Sequence, residues 1–350
     1  MQIETNRKTA DLSPDNKAEL PFAGQSPSPQ PSTLRKVFLG AEGLRAGWSL
    51  LIFFALMAAF FKGIDIAGHL LHLTPKRDAL DTGASLKFLF LGEFPLLLAT
   101  IVVTWIMSKI ERRPNSMYGL GGSNKLSRFF SGLAWGVTCL SLLFLTLWKT
   151  GLLIIDSRLV FGSDVFRYGA AWLAGFLVVG MFEEYLTRGY LQFTLSRGLA
   201  GIYRWAFKTR HSAALGFWTS ALLLSFLFGL GHTKNPGESP IGLLSAGLAA
   251  MVFCFVLWRT GSLWWAIGFH ASWDWAQSFL YGVADSGLFV QHRLLATHPT
   301  GRPILSGGAT GPEGSIFVVP VLILIAVIIL TTVRGTHAGY TFRDVERVEA

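Results

Sequence analysis

Stretches of about twenty apolar residues recur along the whole chain, and nothing else constrains its fold as strongly. A run of that length matches the hydrocarbon core of a bilayer. Inside lipid every backbone amide and carbonyl needs a partner within the protein, which leaves helices or a closed barrel. Regular turns and two-residue alternation are missing, so a barrel does not fit. The chain therefore reads as all-α, a polytopic transmembrane helix bundle of about eight spans. They fall at about 44–72, 85–109, 129–155, 168–196, 213–232, 240–258, 262–283 and 315–333, with the fourth to seventh as the core. Composition agrees: 51% of the 350 residues are hydrophobic and 15% are charged, with a mean hydropathy of +0.46.

Charge orients the bundle. The net charge of +9 would point to nucleic acid in a chain without spans. Here the basic residues gather in the 109–128 and 197–211 loops and at Arg259, on one side of an eight-span arrangement. Such an excess marks the cytoplasmic side. Lys76, Arg77, Arg158 and Arg167 fall on the other side. The expectation is an integral multi-pass protein of the cell (plasma) membrane of a bacterium, both termini cytoplasmic, with the lipid bilayer as a partner and no nucleic acid. Residues 1–36 are polar and Pro/Ser-rich and read as a disordered cytoplasmic tail with no apolar core for a signal peptide. Residues 37–333 form the membrane-embedded helical domain, its functional core at about 168–283, and 334–350 a short cytoplasmic tail. The Gly/Pro-rich stretch 284–314 reads as a mobile loop, and 315–333 as a peripheral lipid-facing span. Cys139 and Cys254 sit in apolar segments and read as inert thiols.

Several charges break the apolar pattern. Gly180-Met181-Phe182-Glu183-Glu184-Tyr185-Leu186-Thr187-Arg188 places two carboxylates and a guanidinium inside a span. Each costs roughly 2.5–3.5 kcal/mol at a helix centre, so such residues face the bundle interior and carry function. Glu184 and Arg188 are four apart and meet on one helix face. Glu183 is turned about 100° away and is free for chemistry. His232 closes the fifth span, and His270 and Asp274 share a face of the seventh. Together these residues permit hydrolysis by an activated water: a partly desolvated Glu as general base, a His to position the water or carry its proton, and donors for the oxyanion. The bland readings are a structural ion pair for Glu184–Arg188 and hydrogen-bonded histidines. His69, His72, His211, His292, His298 and His337 lie at helix ends or in loops and read that way, and Glu93 reads as a structural partner near the interface.

Glu183-Glu184-x-x-x-Arg188, Phe228-x-x-x-His232, and Gly261-Ser262-Leu263-Trp264 through His270-Ala271, in that order, resemble the motifs of the CPBP family of intramembrane proteases, also called the CAAX protease or Abi family. Glu111-Arg112-Arg113 followed by Tyr118-Gly119-Leu120 is similar to its pre-core loop. The resemblance covers about 170–280. It implies a glutamate-dependent, metal-independent endopeptidase without a cofactor, acting on a peptide or protein substrate in or near the membrane. Glu183 and His232 would activate the water, Glu184 and Arg188 would organise the site, and His270 and Asp274 would occupy the oxyanion-hole positions. Asp274 stands where the family commonly has Asn. An ionised Asp cannot donate a hydrogen bond, so Asp274 is either protonated or orients His270. Three other functions use the same residue types: a non-catalytic scaffold or immunity/regulatory protein binding a membrane partner through the same groove, a zinc hydrolase, and a proton- or ion-coupled transporter. The intact Glu183, Glu184, Arg188, His232 and His270 argue against the first. The second lacks the His-Glu-x-x-His spacing, and the third lacks a repeat.

Overall fold

A computed structural model describes residues 37–40, 43–70 and 83–335. The expected tails at 1–36 and beyond 335 and the polar loop at 75–78 lie outside the described residues. The chain opens with a two-residue antiparallel pair, β1 (Leu39–Gly40) and β2 (Gly43–Leu44). Helices follow: α1 (Ala46–Leu70), α2 (Leu86–Glu111) and α3 (Lys125–Lys149). After strand β3 (Leu153–Arg158) come α4 (Asp164–Phe207), α5 (Ser212–Gly231) and α6 (Pro240–Thr260). Helix α7 (Trp264–Trp275) continues into a wider-wound turn over Ala276–Leu280. Strand β4 (Leu295–Pro299) and α8 (Val318–Thr332) complete the order.

The bundle is helical, as its apolar runs require, but the count of eight spans does not carry over. Among the described residues six helices, α1 to α6, are long and apolar enough to cross a membrane, as an integral multi-pass protein requires. The 15 residues of α8 reach roughly 22 Å, short of the ~30 Å of bilayer hydrocarbon. Nor is α8 peripheral on every face: Val321, Leu322, Ile325, Ile328 and Ile329 are buried in the core shared with α3, α6 and α7.

Local chemistry explains the ends of several elements. Ser85 caps α2, its Oγ accepting from Phe88 N at 3.1 Å. Ser239 does the same for α6 toward Gly242 N at 3.0 Å, with Pro240 at the first helical position. Gly261, at φ +63, ends α6.

Three sequence expectations are corrected. The span expected at 129–155 stops at Lys149, because Gly151 at φ +74 turns the chain and Leu153–Arg158 pairs with Leu295–Pro299. The basic stretch 197–211, expected as a loop, is helical to Phe207; Arg197 is buried, donating to Leu44 O at 2.8 Å and Ser49 Oγ at 3.3 Å. The 284–314 stretch, expected to be mobile, contains β4 and a series of single turns, with Ser306, Thr310, Pro312 and Gly314 buried. Its glycines permit tight turns that pack back on the bundle, such as Gly311 against the Ala284 carbonyl.

Helices α3 and α7 pack with their backbones in close approach. Gly132 and Gly136 of α3 face the Trp265 and Phe269 carbonyls, and Gly268 of α7 faces the Phe129 carbonyl. Small residues on both partners let the backbones approach, as membrane helices require. That contact fixes α7, and α7 carries His270.

Candidate active site

Helix α4 holds the Glu pair where its winding changes. From Glu184 to Leu191 the helix is wound wider than an α-helix, a local form often found at functional sites. The widened segment is pinned to α2: Tyr185 OH is the partner of Thr104 Oγ1 at 2.9 Å, and Tyr190 OH donates to Glu111 Oε1 at 3.1 Å. Tyr118 OH donates to the other oxygen of Glu111 at 3.2 Å. The loop that carries Tyr118 docks on the start of α7, where Leu263 N donates to Gly119 O at 2.9 Å and Trp264 Nε1 to Leu120 O at 3.2 Å.

Within that frame Arg188 Nη1 donates to Glu184 Oε1 at 2.7 Å, with both side chains buried. The guanidinium lies over the Phe228 ring at 4.3 Å. His270 Nδ1 donates to the same Glu184 oxygen at 2.9 Å. Its Nε2 is 3.6 Å from Glu183 Oε2 and 3.5 Å from Asp274 Oδ2. Glu184 thus holds both Arg188 and His270, while Glu183 stays 23% exposed. Glu184 Oε2 and Arg188 Nη2 are buried with no partner among the described residues.

Glu183, His232, His270 and Asp274 all line one cavity of about 660 Å³. The sequence-derived residues therefore converge, with one distinction. His232 shares the cavity but not a bond with Glu183: among the described residues its ring donates from Nδ1 to the Phe228 carbonyl at 2.8 Å. That bond leaves Nε2 as the second ring nitrogen. His232 follows the end of α5 and Glu183 lies mid-helix in α4, and both belong to the wall of the one cavity.

Sequence reasoning missed part of the wall. Glu93, expected as a structural partner near the interface, lines the cavity without a hydrogen bond or ion pair among the described residues. Asp285 and Glu313 also line it. Glu313 accepts from Trp273 Nε1 at 2.8 Å and Ser286 Oγ at 3.3 Å, and Asp285 from Ser278 Oγ at 3.0 Å. They are the only acidic residues between Asp274 and Asp344, a signal that could have singled them out. Burial, reinforced by Asp274 and Glu313, pushes the Asp285 carboxyl well above the usual range. Burial likewise raises Glu238, just outside α6, against the opposing bond from Ser239 N. No group of three or more His, Cys, Asp or Glu side chains among the described residues is arranged to hold a metal ion.

Residues 166–276 match a protein-family model described as Rce1-like, type II CAAX prenyl endopeptidase Rce1-like. This is the family whose motifs the sequence resembles, and it is a protease family. The match takes in the Glu pair, Arg188, His232, His270 and Asp274. No curated protein and no solved structure gives a significant match.

Proposed function

We propose that this chain is a membrane-embedded endopeptidase that cleaves peptide bonds of membrane-associated substrates with an activated water. The observation that carries this reading is the His270 ring, bonded to Glu184 on one side at 2.9 Å and facing Glu183 on the other at 3.6 Å, at the wall of a cavity large enough for a peptide segment. Glu183 takes a proton from water as the water oxygen bonds to the scissile carbonyl carbon. His232, across the cavity, orients that water through Nε2. The Nε2–H of His270 donates to the oxyanion. As the C–N bond breaks, Glu183 returns its proton to the leaving amine. Glu184 and Arg188 hold His270 in place. Asp274, 3.5 Å from His270 Nε2, favours a protonated imidazole and in this reading orients it rather than binding the oxyanion itself.

In this reading the chain sits in the plasma membrane of a bacterium with its basic end in the cytoplasm. Arg128, Arg204, Lys208, Arg210 and Arg259 fall at or beside the helix ends on that side, which supports that orientation. The cavity reaches Ala84, Asn235 and Ser286 at the other end, so substrates enter from the non-cytoplasmic side.

The test is a mass-spectrometric survey of new peptide termini in membranes of cells making wild type or Glu183→Gln at matched abundance. Termini found only with wild type are expected, and His232→Ala is expected to lose them too. If Glu183→Gln yields the same termini, the mechanism is wrong. If neither protein yields any and Glu183→Gln still rescues a deletion phenotype, the chain is a non-catalytic scaffold.

A further inference from the structure

The cavity wall carries a charge imbalance that the proposed chemistry does not use. Five carboxylates line it, from Glu93, Glu183, Asp274, Asp285 and Glu313, and among the described residues no Lys or Arg does. Outside the cavity three carboxylates meet a Lys or Arg, Glu184 with Arg188 at 2.7 Å, Asp65 with Lys62 at 3.0 Å and Asp164 with Arg167 at 3.9 Å, while Glu111 is held by two tyrosine hydroxyls. Glu183 and Asp274 at least face His270. The other three have no cation within ion-pair distance among the described residues. Asp285 and Glu313 are held by Ser278, Ser286 and Trp273, neutral donors that fix a carboxylate without cancelling its charge. Glu93 makes no such bond. Carboxylates that share a cavity repel one another as they ionise, and a cation entering between them removes that repulsion.

The position of the pair ties it to the reacting centre. Glu313 is bonded to Trp273, the residue before Asp274, and Asp274 is in turn 3.5 Å from His270. We propose that the cavity selects substrates carrying a positive charge beside the scissile bond, a Lys or Arg side chain, held between Asp285 and Glu313. The inference rests on the protease reading above and adds the substrate class. The apolar wall of Phe88, Phe176, Val252 and Leu322 takes the uncharged part of the segment.

The terminus survey tests this when Asp285→Asn and Glu313→Gln are added at matched abundance. Each substitution keeps an acceptor oxygen for its serine or tryptophan donor and removes the ionisable oxygen that a bound cation would hold deprotonated, and the second covers a failure of the first to accumulate. Lys or Arg is expected within about four residues of the Glu183-dependent termini, enriched over uncut juxtamembrane segments of the same proteins. In either variant, sites with a basic neighbour are expected to lose about tenfold in cleavage, the effect of one partly desolvated charge pair, while sites without one change little. A wild-type set without enrichment, or enrichment unchanged in both variants, overturns the inference and leaves the protease reading standing. A complete lack of Glu183-dependent termini removes the protease reading, and the inference with it.

Discussion

Glu184 holds two partners through one oxygen, and its removal or theirs has different consequences. Arg188→Ala strands a fully buried carboxylate. Breaking a buried pair from one side costs about 3–5 kcal/mol, so the variant is expected to fall in abundance as well as activity, measured by quantitative blotting of membranes. Glu184→Gln in the same background removes the stranded charge and is expected to restore part of the abundance without activity. Glu111 is a second buried anchor, with a tyrosine hydroxyl on each oxygen. Glu111→Ala leaves Tyr118 and Tyr190 without their acceptor, and about 1–3 kcal/mol per unsatisfied group is expected as a lowered unfolding temperature in detergent. Most of the polar residues that converge around His270 were legible in the sequence, because a charge inside an apolar run is conspicuous and the i, i+4 rule pairs Glu184 with Arg188. The partner of His270 was not, since the Glu184 contact joins residues 86 positions apart and no local pattern encodes it. Asp285 and Glu313 were hidden by a Gly/Pro-rich context that reads as solvent-exposed loop.

Helices α1 to α6 were expected from their apolar runs, but their ends were not always legible. Helix α4 runs past Arg197 and Arg204 because a charged residue ends a span without ending a helix. Its 44 residues reach roughly 66 Å at 1.5 Å per residue, more than twice the hydrocarbon thickness. Strand β3 was merged with the preceding helix because Leu152-Leu153-Ile154-Ile155 is apolar in either form. Only a partner far along the chain decides between them. The α3–α7 contact gives the sharpest test at this scale. Gly136→Leu drives a side chain into the Phe269 carbonyl and the Ser272 hydroxyl, where neither backbone can give way. It is expected to separate α3 from α7, lowering abundance and abolishing cleavage, whereas Leu142→Ala, on an exposed position of the same helix, is expected to do neither. Equal loss in both would show that α3 is merely fragile.

For the whole molecule, the acidic end of the cavity links pH to stability. Asp285 is held above its ordinary range in the folded chain, so the folded state keeps a proton that the unfolded state has lost. Stability therefore falls as pH rises from the ordinary carboxylate range toward the raised value, and below that range the effect vanishes because both states are protonated. Wild-type protein in detergent is expected to unfold at a lower temperature at pH 8 than at pH 5, and Asp285→Asn to flatten that difference. An identical slope in the variant would assign the pH response to other groups.

Strands β3 and β4 also have a consequence in time. The side chains of His298 and Asp156, one on each strand, meet at 2.8 Å and are 142 residues apart. At about 5–20 residues per second, a ribosome needs roughly 7–30 s to deliver the second strand after the first. Every motif residue from Glu183 to Asp274 emerges in that interval, ahead of the stretch that brings Asp285 and Glu313 to the cavity wall. The nascent chain therefore carries its reactive groups before it has a finished chamber to use them in. Under the protease reading, ribosome-arrested chains ending near residue 283 are expected to insert without cutting their neighbours.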